Sequence, residues 1–119
     1  MPREFGRNRR VSDLVQRQLA PLIQREPEIA RIGLITISSV DVSPDLLNAT
    51  VYVTNLNDDV DREAMVAMLN DKAGQFRHEL AQDSPLRKTP RLSFSFDTSV
   101  EYGSKLSALI DSLDSTADD

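Results

Sequence analysis

The 119 residues contain no cysteine, no tryptophan and a single histidine. Without cysteine the chain can form no disulfide, thiolate nucleophile or Cys-based zinc site, which suits a reducing compartment. His78 has no second histidine to share a metal with, so it is expected on a helix surface and no metal is expected. Aromatic residues make up 5% of the chain against 39% hydrophobic, so the core must be built mainly from Leu, Ile and Val. The four glycines, Gly6, Gly33, Gly74 and Gly103, are too scattered for a phosphate-cradling loop, and no "GxxxxGK" occurs, which disfavours nucleotide hydrolysis. No apolar run approaches the roughly 20 residues that span a bilayer. The opening "MPREFGRNRR" lacks the apolar segment of a secretory signal, so the expected location is cytoplasmic, with no membrane partner. Asp41, Asp45, Asp58 and Asp59 offer carboxylates without an accompanying base, nucleophile or oxyanion device, and turns or caps are their better use. The expectation is a protein that is not an enzyme, with no cofactor and no small-molecule substrate.

What is present is charge, unevenly placed. The net charge is -5, yet the first ten residues hold Arg3, Arg7, Arg9 and Arg10 against Glu4 alone. Lys72, Arg77, Arg87, Lys88 and Arg91 form a second basic stretch against Glu79 and Asp83. Acid gathers in "NDDVDRE", at Asp58, Asp59, Asp61 and Glu63, and in the tail "DSLDSTADD". A binding partner feels this local field, not the sum, so the polarity is informative where the net charge is not.

The length fits one domain. Residues 1–10 read as a flexible basic arm, 11–113 as the folded domain and 114–119 as a disordered acidic tail. From Ser12, a plausible N-cap, Leu14, Val15, Leu19, Leu22 and Ile23 recur at helical spacing, with Pro21 predicting a kink or early end. The period then changes to two: Ile35, Ile37, Val40 and Val42, a turn at "SPD", then Ala49, Val51 and Val53. Two antiparallel strands are predicted. Met65, Met68, Leu69, Ala73, Phe76 and Leu80 form a helical stripe, which Gly74 is expected to kink or break at Ala73 and Gly74. A strand at 91–96 and a last helical pattern through Leu106, Leu109, Ile110 and Leu113 complete the order α-β-β-α-(kink)-α-β-α. The class is α+β, with no unused apolar stripe to demand a dimer, so a monomer is expected.

The segment "PLRKTPRLSFSFD" combines both themes. Leu92, Phe94 and Phe96 share one face of a strand and are expected in the core rather than stacked on bases. Arg87, Lys88 and Arg91 at its entry can neutralise phosphates, as can Lys72, Arg77, Arg9 and Arg10 if they share a face. A second reading has the acidic surface and tail binding a basic protein partner.

"RNRRVSDLVQRQLAPLI", "ITISSVDVSPDLLNATVYV" and "LNDKAGQFRHELAQDSPLRKTPRLSFSFDTSVEYG", in that order, resemble the bacterial ribosome-binding factor A family. The most specific pieces are Val40 to Leu46, Ala49 to Val53, Leu86 to Asp97 and the Arg10-Val11 pair. The resemblance implies a single K-homology-type domain of the type II arrangement, with a three-stranded sheet and helices on one face. It also implies a non-catalytic assembly factor that binds the free small (30S) ribosomal subunit, through 16S rRNA and ribosomal proteins. That factor supports late maturation and 5′-end processing of 16S rRNA, and matters most in the cold. Familiar K-homology domains clamp nucleic-acid backbone with a Gly-x-x-Gly loop, which this chain lacks. The family instead carries Ala-x-Gly at the helix kink, and here those positions read Lys72-Ala73-Gly74, with the glycine kept and the first alanine replaced.

Overall fold

In the computed structural model the described residues are 5–57, 59–83, 86 and 88–99. Helix α1 (Phe5–Arg25) and the short α2 (Pro27–Ala30) precede the strands β1 (Ile35–Val42) and β2 (Asn48–Asn55). Helices α3 (Arg62–Asp71) and α4 (Ala73–Asp83) then lead to β3 (Arg91–Phe96). The sheet order is β1-β2-β3, antiparallel between β1 and β2 and parallel between β2 and β3. This is an α+β fold of the K-homology type. The helical pattern expected at Leu106, Leu109, Ile110 and Leu113 and the acidic tail 114–119 lie outside the described residues.

α1 opens at Phe5 rather than at Ser12, so residues 5–10 of the expected arm are helical and Ser12 stands inside the helix. Pro21 does not end it either, because the helix continues to Arg25. A proline leaves the carbonyl one turn back without a donor, and that loss is tolerable on the exposed face where Pro21 sits. The opposite face buries Val15, Leu19, Leu22 and Ile23 completely or nearly so.

The core is a single layer between sheet and helices. β1 and β2 contribute Ile35, Ile37, Val40, Val42, Ala49, Val51 and Val53, and β3 contributes Leu92 and Phe94. Met65 and Leu69 of α3 and Phe76 and Leu80 of α4 close it from above. Phe76 meets Phe94 edge to face, with centroids 6.1 Å apart. The spacing of Ile37 and Val40 is three, which a regular strand would place on opposite faces. A bulge between Ile37 and Ser39 restores both to the core, and leaves Ser38 and Ser39 outside.

The hairpin turn explains one group of acids. Leu46 N–H bonds the Ser43 carbonyl at 2.8 Å, and the Asp45 carboxylate accepts from Ser43 Oγ at 2.6 Å and from Leu47 N–H at 3.0 Å. These bonds, the Ser43 hydroxyl first, hold the Asp45 carboxyl below its ordinary range. Leu46 adopts φ 64, a left-handed conformation that a leucine enters only when a tight turn imposes it. Asp61 caps α3, accepting from Glu63 N–H and Ala64 N–H.

Both free edges of the sheet receive carboxamides from the helix layer. Gln16 donates to the Ile37 carbonyl at 3.3 Å and Asn8 to the Val42 carbonyl at 3.2 Å, both on β1. On β3, Asn70 accepts from Phe94 N–H at 2.8 Å and donates to the Phe94 carbonyl at 3.3 Å, so one side chain takes both groups that Phe94 would offer to a further strand.

Candidate nucleic-acid interface

The break between α3 and α4 falls at Lys72, with φ −97 and ψ 4. Lys72 N–H is shared between the Met68 and Leu69 carbonyls, while Phe76 N–H starts the next helix on the Lys72 carbonyl. Ala73 and Gly74 therefore open α4, where the sequence placed the kink. A Cβ built on Gly74 meets nothing within 4 Å. No protein atom requires a glycine there, and the first turn of α4 is open to whatever approaches it from solvent.

Beside this open turn runs a surface groove of about 510 Å³ lined by Gly74, Arg77, His78, Ala81 and Thr89. Arg77 Nε and Nη2 both donate to the Thr89 carbonyl, at 3.2 and 3.1 Å, tying α4 to the segment that enters β3. Among the described residues no carboxylate lies within ion-pair distance of Arg77, so the tie fixes the guanidinium without neutralising it. His78 is exposed at the groove's border and pairs with Gln82 at 3.2 Å, a surface helix position. Among the described residues no group of His, Cys, Asp and Glu could hold a metal ion.

The cations named from the sequence divide between several places. Arg77 borders the groove, and Lys88 is exposed in the segment just before Thr89. Arg87 lies outside the described residues. Arg91 begins β3, where alternation with buried Leu92 and Phe94 sends it to the sheet face away from the helices. It does not share the groove with Arg77. Arg9 and Arg10 are exposed on α1.

Lys72 is held inward. Its Nζ lies 2.7 Å from Glu28 and 3.4 Å from Glu26, and its side chain is 18% exposed. The hydrogen bond from Lys72 to Glu28 raises the Lys72 pKa above its ordinary value, and the same bond holds the Glu28 carboxyl low. Gln75 adds a contact to Glu26 at 3.4 Å. Lys72 is thus the brace that fastens the helix break to the α1–α2 junction. Sequence reasoning missed this because the partners are more than forty residues away and only the fold unites them.

The acidic link stands at the other end of the molecule. β2 and β3 run parallel, with Asn48 beside Arg91 and Val53 beside Phe96. The groove therefore adjoins the starts of these strands, whereas Asp59, Asp61 and Glu63 follow the finish of β2. Arg62, in that link, lies over the Phe96 ring at 4.2 Å, so Phe96 packs under a cation instead of lying open to a base.

Known proteins are similar to this chain in sequence and in fold. The family model for ribosome-binding factor A matches residues 7–110. Ribosome-binding factor A of Nitrosococcus oceani is 50% identical over 111 residues, which is 93% of this chain and 87% of that protein. The crystal structure of ribosome-binding factor A from Thermus thermophilus is 27% identical with a TM-score of 0.64, covering 74% of this chain and 93% of that one. A Thermus thermophilus ribosome-binding factor A homology model fitted into the cryo-EM map of a 30S complex is 27% identical with a TM-score of 0.61, covering 73% and 91%.

Proposed function

The chain belongs to the ribosome-binding factor A family, and on that footing we propose that it binds the free small ribosomal subunit as a non-catalytic, monomeric assembly factor of the cytoplasm. The relative fitted into a 30S complex supports this partner. The proposed contact is the groove beside Gly74, with Arg77 and Lys88 set against 16S rRNA phosphates and Arg87 continuing the same basic run. The observation that carries the assignment is the Arg77 guanidinium, pinned by the Thr89 carbonyl and unneutralised beside an open helix turn. A fixed cation binds phosphate without the entropy loss that a free arginine side chain suffers on docking. Support for late maturation and 5′-end processing of 16S rRNA, with its greatest importance in the cold, belongs to the same proposal.

Co-sedimentation with purified small subunits across a salt series tests the contact. The intact chain is expected to pellet with subunits, and the triple variant Arg77→Ala, Arg87→Ala, Lys88→Ala to lose binding at moderate salt. Equal pelleting of both forms would remove the groove from the interface. In cells lacking the protein, unprocessed 16S rRNA should accumulate on cooling; unchanged 5′ ends would remove the processing role.

A further inference from the structure

We propose that α1 carries a second track for RNA phosphates, along Arg10, Arg17 and Arg25, separate from the groove at Arg77; the proposal rests on small-subunit binding as read above. α1 buries Val15, Leu19, Leu22 and Ile23 against the sheet, so its opposite face looks into solvent. Arg10 and Arg17 are seven residues apart, nearly two helical turns, and share that face. Arg25 follows in the last turn, about 80° round the axis from Arg17 and clear of the buried face, where a cation also suits the negative end of the helix. All three are exposed. The helix is continuous through Pro21, so the row is a rigid rod of about 22 Å from Arg10 to Arg25.

Exposed arginines are common, and what singles out this row is how the nearby acids are used. Among the described residues none of the three arginines has a carboxylate within ion-pair distance, and Asp13, the one acid between Arg10 and Arg17, forms no ion pair with any of them. Glu26 and Glu28, the acids next to Arg25 in sequence, both engage Lys72. Asp45 serves its turn, Asp61 caps α3 and Asp97 accepts from Ser38 Oγ. Glu26 and Glu28 are thus drawn away from Arg25, and Asp13 is the one acid left beside three exposed arginines on this helix. A row of unneutralised guanidinium groups complements a phosphate backbone, and RNA is the polyanion the subunit offers.

The test is the salt dependence of binding to purified small subunits. The full chain, Arg17→Gln/Arg25→Gln and Arg17→Lys/Arg25→Lys are compared from low to moderate salt. Removing one phosphate contact should reduce the slope of log K against log salt by about 1. The Gln pair is therefore expected to lower the slope by about 2, and the Lys pair, which keeps the charge, to retain most of it. Glutamine is a good helix former and both sites are exposed, so the thermal midpoint should fall by no more than a few degrees, from the charge lost at the end of α1. Removing the acid in the row with Asp13→Asn should strengthen binding at low salt. If the intact chain binds and the Gln pair keeps the full slope, the second track is overturned while the groove stands. A loss of affinity with an unchanged slope would place a contact other than phosphate on α1, and also overturn it. If the intact chain does not bind subunits, the functional reading fails and takes this inference with it.

Discussion

Asn70 works as a substitute strand: one carboxamide meets both the N–H and the carbonyl of Phe94, which would otherwise face outward from β3. Replacing it by alanine leaves two backbone groups to find water at a partly covered edge, so Asn70→Ala is expected to cost about 1–2 kcal/mol. Urea unfolding checks this, and a loss under about 0.3 kcal/mol would show that water serves Phe94 as well. Lys72 offers a different test, because its bond to Glu28 makes stability depend on pH. Glu28 has its pKa lowered from 4.5 by the Lys72 hydrogen bond, so its contribution is complete above pH 4.5 and is lost as pH falls through the lower folded value. Lys72 has its pKa raised from 10.5, so its contribution is complete below pH 10.5 and is lost as pH rises through the higher folded value. The stability gap between the intact chain and Lys72→Met should therefore be flat across neutral pH and close at both extremes. A gap that persists unchanged in acid would mean that the packing of the lysine stem, not the ion pairs, holds the break.

At the scale of elements, the change of period from 3.6 to 2 and back was enough to place the strands and the main helices, because one core face repeats along each. Val15, Leu19, Met65, Leu69, Phe76 and Leu80 are buried as their spacing required. The β1 bulge was not legible, since "ITISSVDV" can shift register at either serine and only pairing with β2 decides. The start of α1 was misread because Ser12 looks like a cap and the arginines before it carry no apolar pattern. At the candidate site, the kink was visible from Gly74, but the partner of Lys72 was not. The outward direction of Arg91 could have been read from its alternation with Leu92. Gly74 gives the element-scale prediction. With open space at its Cβ, Gly74→Ala should stabilise α4 by up to about 1 kcal/mol. If subunit RNA approaches that turn closely, the same methyl should weaken co-sedimentation with small subunits. A variant that is both more stable and fully able to bind would show that Gly74 serves no contact.

For the molecule as a whole, the parallel pairing of β2 and β3 is what turns a patchy sequence into a polar object. It sets the groove with Arg77 at the start of the strands and Asp59, Asp61 and Glu63 beyond the finish of β2. On the proposed contact, a polyanion would be drawn to the groove and repelled from the acidic end, so the acid would contribute orientation rather than affinity. That distinction predicts opposite changes in two quantities. Asp59→Lys with Glu63→Lys leaves the Asp61 cap intact and reverses charge at the repelling end. Affinity for unstructured bulk RNA should rise, because more cations face solution. The preference for small subunits over that bulk RNA should fall, because the wrong end no longer excludes phosphate. Competition co-sedimentation, with subunits held constant and bulk RNA increased, measures both. If the variant gains on bulk RNA and keeps its preference for subunits, selectivity lies in the shape of the groove beside Gly74, and the acidic end plays no part in docking.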